Sequence, residues 1–185
     1  QVKSSVVRSR PDGSTEFIDF LGNAAEGTNR GVEMDINWFV NDNFNINANA
    51  GWLDAEFDEF INEFGEDLSG RDQAHAPSYT FSLNFNYQQG PWFASVSADG
   101  KDNFFFSDRH SIKSKRYTLY NTSLGFESGQ WKVTLWGRNL TDKDYYVRGF
   151  GSFGNDPRNF YVTEPYFQYG EPRVTGVTLQ LTMGG

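Results

Sequence analysis

Residues 78–88 place Tyr79, Phe81, Leu83, Phe85 and Tyr87 at every second position, with Ser78, Thr80, Ser82, Asn84, Asn86 and Gln88 between them. A repeat of two is the spacing of a β-strand, whose successive side chains point to opposite faces; a helix repeats near 3.6. One face of this segment is wholly apolar and the other wholly polar. The same division recurs along the chain. Val32, Met34, Ile36 and Trp38 alternate with Glu33, Asp35 and Asn37, and Phe44, Ile46, Ala48, Ala50 and Trp52 alternate with Asn45, Asn47, Asn49 and Gly51. Trp92, Ala94, Val96 and Ala98 oppose Ser95, Ser97 and Asp99; Tyr120, Thr122, Leu124 and Phe126 oppose Asn121, Ser123 and Glu127. Trp131, Val133 and Leu135 oppose Lys132, Thr134 and Arg138, and Val177, Leu179, Leu181 and Met183 oppose Thr178, Gln180 and Thr182. No comparable helical stripe is present, so the chain is all-β.

The connections come in two lengths. Residues 40–43, 88–91 and 127–130 read as tight turns, whereas 56–77, 107–116 and 143–172 read as long loops. Short and long connections alternate, as in an antiparallel up-and-down meander with its tight turns at one end and its long loops at the other. The spacing predicts about eight strands, near 1–9, 16–40, 43–56, 78–88, 91–106, 116–127, 130–147 and 173–183. The second is too long for one regular strand, and a bulge is expected near 22–31. An even count brings both chain ends to the tight-turn end.

The fold then depends on which face is wet. Aromatic residues make up 17% of the chain, yet its mean hydropathy is -0.62. So many rings in so polar a chain suit a surface that faces lipid. Trp38, Phe85, Tyr87, Trp92, Phe126 and Trp131 cluster beside the tight turns, as in the aromatic girdle of a membrane interface. The polar faces carry Asn, Ser, Thr and Gln in place of the Lys and Glu of an ordinary solvated surface. Short turns at one end and long loops at the other match a transmembrane barrel with periplasmic turns and extracellular loops. A soluble β-sandwich or barrel, for example a carbohydrate-binding module using aromatic platforms, is the alternative. It leaves a row of rings exposed or an edge unpaired.

Other classes are weakened by what the sequence holds. The net charge is -8, with no block of Lys and Arg to neutralise phosphates, which argues against nucleic acid. Cysteine is absent, removing thiolate metal sites and cysteine nucleophiles. His75 and His110 are the two histidines, and no Gly-x-Ser-x-Gly elbow accompanies them, so an enzyme is not expected and no cofactor or metal is assigned.

Five ordered stretches carry a family resemblance. The run WGRNLTDKDYY (136–146) resembles the penultimate-strand signature of TonB-dependent outer-membrane receptors, in which a strand ends in an NLTD or NLFD turn followed by an aromatic. GTNRGVEMDINW (27–38), NANAGWLDAEFDEF (47–60), HAPSYTFSLNFNY (75–87) and GEPRVTGVTLQLTM (170–183) resemble further strands of that family, in the same order. The resemblance implies that 1–185 is the C-terminal barrel segment of a receptor in the bacterial outer membrane. The remaining strands of a barrel of about twenty-two, a plug domain and the TonB complex are its implied partners, beside outer-membrane lipid. The implied cargo is a scarce small molecule or metal chelate such as a ferric siderophore. It also implies that Trp136 and Arg138 face the barrel interior. Where the family ends on Phe, this chain has Met183 followed by two glycines. A small closed eight-stranded barrel without transport is the remaining alternative.

Candidate ligand contacts lie in the last long loop: Arg148, Phe150, Phe153, Arg158, Tyr161, Tyr166 and Tyr169. Their rings suit stacking on a ligand, and the guanidinium groups suit its carboxylates or catecholates. A loop packed on itself over the barrel mouth is the competing reading. The acidic run 54–72 lacks the spacing of a calcium loop and reads as solvated. Phe104, Phe105 and Phe106 read as part of an outer aromatic belt, with a ligand platform as the alternative.

Overall fold

The computed structural model describes residues 2–22, 25–62, 65–151, 157–160 and 165–183. Among the described residues eleven strands are formed: β1 (Val2–Ser9), β2 (Thr15–Gly22), β3 (Ala25–Asn41), β4 (Phe44–Phe60), β5 (Tyr79–Gln89), β6 (Trp92–Lys101), β7 (Tyr117–Ser128), β8 (Trp131–Arg138), β9 (Tyr146–Gly151), β10 (Pro165–Tyr169) and β11 (Val174–Leu181). Seven of them make one antiparallel sheet in the order β11-β8-β7-β6-β5-β4-β3, while β1 with β2 and β10 with β9 form separate two-stranded ribbons. Among the described residues no helix is long and apolar enough to cross a membrane.

The register explains why the alternation was so regular. One rung of the mainly apolar face runs unbroken through all seven strands as Trp38, Ile46, Phe85, Val96, Thr122, Gly137 and Thr175. The neighbouring rung, Phe39, Asn45, Asn86, Ser95, Ser123, Trp136 and Gly176, belongs to the other face. Because the side-chain period is two, a slip by one residue would exchange these faces, so the hydrophobic pattern holds the register. The β5–β6 and β7–β8 turns place Gly90 (φ 54°) and Gly129 (φ 59°) at the first turn position. A positive φ there matches the twist of paired strands, and glycine adopts it without steric cost.

The sheet is a partial barrel. Strands β3 and β11 are its two edges and do not pair with each other. A sandwich would need a second sheet packed on the first, and a small closed barrel would need its edges joined; among the described residues neither arrangement is present.

Three expectations are corrected. Residues 16–40 are not one strand: β2 pairs with β1, whereas β3 pairs with β4. A chain that changes partner keeps the same period of two, so the sequence pattern runs across the break. The expected bulge is real, with a register shift between Glu26 and Gly27 opposite β4. The first strand lies at the long-loop end, because Val2 pairs with Gly22 and three residues span at most about 11 Å from there to Ala25. The predicted strand 130–147 also stops early, at Arg138, where Asn139 turns to a φ of 46°.

The buried apolar side chains, Ala55, Phe60, Leu68, Phe104 and Phe106, lie toward the long-loop end. A sheet one strand thick has no interior of its own, so close packing is confined to where the long loops fold over one another.

Candidate functional site

The faces of the seven-stranded sheet are exposed in the opposite sense to a soluble protein. Val32, Trp38, Leu135, Val177 and Leu179 are 51–67% exposed, while Ser82, Asn84, Ser95, Ser97, Asp99, Asn121 and Ser123 are half-buried. The polar residues bond to each other across strands. Ser82 Oγ donates to Asp99 Oδ1 at 2.6 Å, and Ser97 Oγ and Asn121 Nδ2 both donate to Asp99 Oδ2, at 3.2 and 3.0 Å. Asn84 Nδ2 donates to Ser82 Oγ, and the Ser95 and Ser123 hydroxyls lie 2.7 Å apart. Trp136 joins this face through Nε1 to Thr178 Oγ1 at 3.0 Å, and Arg138 lies over its indole ring. Trp136 and Arg138 therefore stand on the polar face, as the resemblance implied.

The six rings expected at the girdle stand on the apolar face near the tight-turn end. Trp38, Tyr87, Trp92 and Trp131 are exposed, and Phe85 and Phe126 are half-buried. Trp92 meets Phe126 edge-on with centroids 4.8 Å apart, and Phe85 stacks on Phe44 at 6.4 Å. On the polar face at that end, Lys132 Nζ sits 4.6 Å from the centre of the Phe93 ring and 3.0 Å from Glu127 Oε2.

At the long-loop end, residues 65–78 and 102–116 pack against each other. Arg71 donates through Nη2 to the Ser107 and His110 carbonyls and lies over the Phe105 ring, which Lys113 approaches within 4.1 Å of its centre. Lys113 also pairs with Asp72 at 3.2 Å. His75, at a φ of 60°, hydrogen-bonds from its backbone N–H to the Phe105 carbonyl and sets its ring against Phe104 and Phe106. Partial burial among these rings lowers the His75 pKa below its ordinary value, and the Lys101 and Arg148 charges lower it further. Phe104 and Phe106 are thus the core of the loop cluster, not part of an outer belt. They are buried because three loops converge on them.

The β9–β10 ribbon is the third contributor. Phe167 packs on Phe106 with centroids 5.3 Å apart, and Gly149 lies against the same ring where a Cβ would collide. With that face held down, Arg148 and its register partner Gln168 stand on the other face, and Phe150 is the register partner of Tyr166. Arg148 and Tyr166 are exposed there. A register shift at Gln168/Tyr169 skips Val147 and pairs Tyr169 with Tyr146, with ring centroids 4.9 Å apart. Arg158 is exposed on the short 3-10 turn Pro157–Asn159. Phe153 and Tyr161 lie outside the described residues. The structure therefore sets Arg148 and Tyr166 two residues apart in register on the ribbon, with Phe150 the register partner of Tyr166, and places Tyr169 against Tyr146.

The acidic run forms local bonds. Thr28 Oγ1 donates to Asp58, Asn62 Nδ2 to Glu66, and Ser69 to Asp67, whose pKa these Ser69 bonds lower. Among the described residues no three His, Asp or Glu side chains are placed to hold a metal ion.

Residues 3–140 match the protein family described as TonB dependent receptor-like, beta-barrel. The chain belongs to that family. Ferric-pyoverdine M114 receptor PbuA from Pseudomonas sp. (strain M114) is 40% identical over 89 residues, which are 45% of this chain and 10% of that protein. The siderophore receptor PiuA from Acinetobacter baumannii superposes with a TM-score of 0.69 at 20% identity, over 85% of this chain and 22% of the receptor. The ferric yersiniabactin uptake receptor FyuA from Yersinia pestis gives 0.70 at 16% identity, over 86% and 24%. The copper transporter OprC shares the fold as well, with a TM-score of 0.60 at 14% identity over 97% and 27%. The chain spans 10% of its curated relative and 22–27% of these solved chains.

Membership in this family of TonB-dependent receptor barrels sets the environment of the two faces. The chain lies in the bacterial outer membrane, with its apolar face toward lipid and its polar face toward the barrel interior. Closing the backbone bonds of β3 and β11 requires further strands, since lipid offers no hydrogen-bonding partner.

Proposed function

We propose that this chain forms part of the wall and outer mouth of a receptor that takes up a ferric siderophore, with a plug domain inside the barrel and the TonB complex supplying energy. The observation that carries the reading is the β9–β10 ribbon. Its inner face is fixed to the buried Phe106, and its outer face presents Arg148 and Tyr166 at the long-loop end. Rings and guanidinium groups on a held-down support lose little freedom when they meet an anionic, aromatic chelate. The relation to a protein named as a ferric-pyoverdine receptor supports iron chelates as the cargo class. Trp38, Phe85, Tyr87, Trp92, Phe126 and Trp131 serve as the periplasmic-side girdle.

The test is made on the whole receptor that contains these residues, in iron-starved cells. Binding and uptake of radiolabelled ferric siderophores are measured for the wild type and for the Arg148→Ala, Tyr166→Ala double variant. Truncating two contact residues is expected to weaken binding about tenfold or more, with outer-membrane abundance unchanged. Equal binding by the variant removes the ribbon from the site. Uptake of copper with no ferric chelate taken up would overturn the cargo.

A further inference from the structure

Phe106 is shared between two neighbours from distant parts of the chain. The β9–β10 ribbon rests on it through Phe167, with centroids 5.3 Å apart, through Tyr146 at 6.3 Å, and through Gly149, where an added Cβ would stand 2.5 Å from the ring. His75 meets the same ring edge-on at 6.4 Å and meets the Phe104 ring at 5.4 Å. The backbone of His75 is held in place. Its φ is 60°, its N–H donates to the Phe105 carbonyl at 2.8 Å, and Ala74 forms a bridge with Phe105. The imidazole is thus kept beside the ring that carries the ribbon.

The charges that bear on that imidazole are of one sign. Lys101, at the end of β6, holds its Nζ 4.6 Å from the centre of the Phe104 ring, and Arg148 stands on β9 next to Gly149. Partial burial disfavours a proton on His75, as do these two cations; a hydrogen bond with the Phe106 backbone acts the other way and is the weakest of the four influences. The acids of the loops 65–78 and 102–116 have other partners. Glu66 accepts from Asn62, Asp67 from Ser69, Asp102 from Asn103 and Asp108 from Ser107, while Asp72 pairs with Lys113. The two ribbon strands contain no acid. A ring face attracts a cation, but Lys101 already occupies that of Phe104. We propose that His75 is an acid-sensitive clasp for the β9–β10 ribbon: neutral, it packs with Phe167 and Gly149 on Phe106; protonated, its charge beside Lys101 and Arg148 drives the ribbon off that support. Release withdraws Arg148 and Tyr166 from the mouth. That consequence for capture rests on the function proposed above, whereas the undocking does not.

Since the undocked ring takes up a proton more readily than the docked one, docking is unaffected above the ordinary histidine pKa of about 6.5. Below it, docking weakens by up to about tenfold per pH unit until the docked ring itself titrates. The test is hydrogen–deuterium exchange of the whole receptor in micelles, without any chelate, followed by mass spectrometry from about pH 7.5 to about pH 5 and corrected for the intrinsic pH dependence of exchange. In the wild type, the opening equilibrium of peptides spanning 146–151 and 165–169 is expected to be flat above about pH 6.5 and to rise roughly tenfold below it, while β5 and β6 stay protected. His75→Asn tolerates the positive φ and cannot titrate, and is expected to remove the rise. Lys101→Gln relieves the repulsion and is expected to shrink the rise, which keeps the test open if His75→Asn does not fold. A flat wild-type profile, an undiminished rise in either variant, or an equal loss of protection in β5 and β6 each overturns the proposal. No chelate enters these readouts, so they stand or fall apart from the proposed function.

Discussion

Asn139 shows how much one side chain can fix in a structure with little core. It is 2% exposed, and its amide Nδ2 donates to the Lys143 and Glu171 carbonyls at 3.0 Å while Oδ1 accepts from the Lys143 N–H at 2.9 Å. Its own N–H donates to Asn121 Oδ1 at 3.0 Å, and Asn121 in turn reaches Asp99. One residue thus ties the end of β8 to the approach of β11 and to the polar wall. Removing the amide leaves buried backbone groups unpaired, so Asn139→Ala is expected to lower barrel stability by about 2–4 kcal/mol. Asn139→Gly, which keeps the backbone conformation but loses the amide, is expected to be nearly as damaging. Urea unfolding of the receptor in micelles checks both; a glycine variant as stable as wild type would assign the residue to backbone conformation alone. The family resemblance implied a turn at the NLTD run, while the alternation carried the strand on to residue 147. That its asparagine reaches residues 18 and 32 positions away was invisible, because those partners are brought together only by strand order.

At the scale of the element, rings pack over glycines on both faces of the sheet. Phe81 covers Gly100 on the lipid side, and Phe93 covers Gly125 and Trp136 covers Gly176 on the polar side. In each of the three pairs the ring and the glycine are cross-strand neighbours. The missing side chain lets the ring lie flat, which buries apolar area that a one-layer sheet otherwise lacks. Gly125→Val would place a branched side chain inside the Phe93 ring and is expected to cost about 1–3 kcal/mol, whereas Gly129→Asn, in the tight turn, is expected to cost less because asparagine tolerates positive φ. Comparing their unfolding midpoints in one detergent checks the ordering, and an equal loss would rule out ring packing as the cause. Alternation alone located the strands in which these pairs occur. It did not mark where residues 16–40 divide, since a strand keeps its period when its partner changes.

For the molecule as a whole, the inverted exposure of the faces and the open edges have one physical consequence. Exposed apolar residues from Val32 to Leu181 and the unpaired backbone of β3 and β11 are stable only beside lipid and further strands. The 185-residue chain alone is therefore expected to associate into large, heterogeneous species in detergent-free buffer and to disperse in micelles. Sedimentation velocity distinguishes the two states, and a single monomeric boundary in plain buffer would contradict the assignment of the faces. The sequence by itself determined the period of two, the split into an apolar and a polar face, and the alternation of tight turns with long loops, because each is a property of residues adjacent along the chain. Tertiary structure alone decided the strand partners, the convergence of three loops on Phe104 and Phe106, and the packing of Leu140 over Gly137. Each of these requires residues distant in sequence to occupy neighbouring rungs, and local periodicity carries no information about which distant strand will be the neighbour.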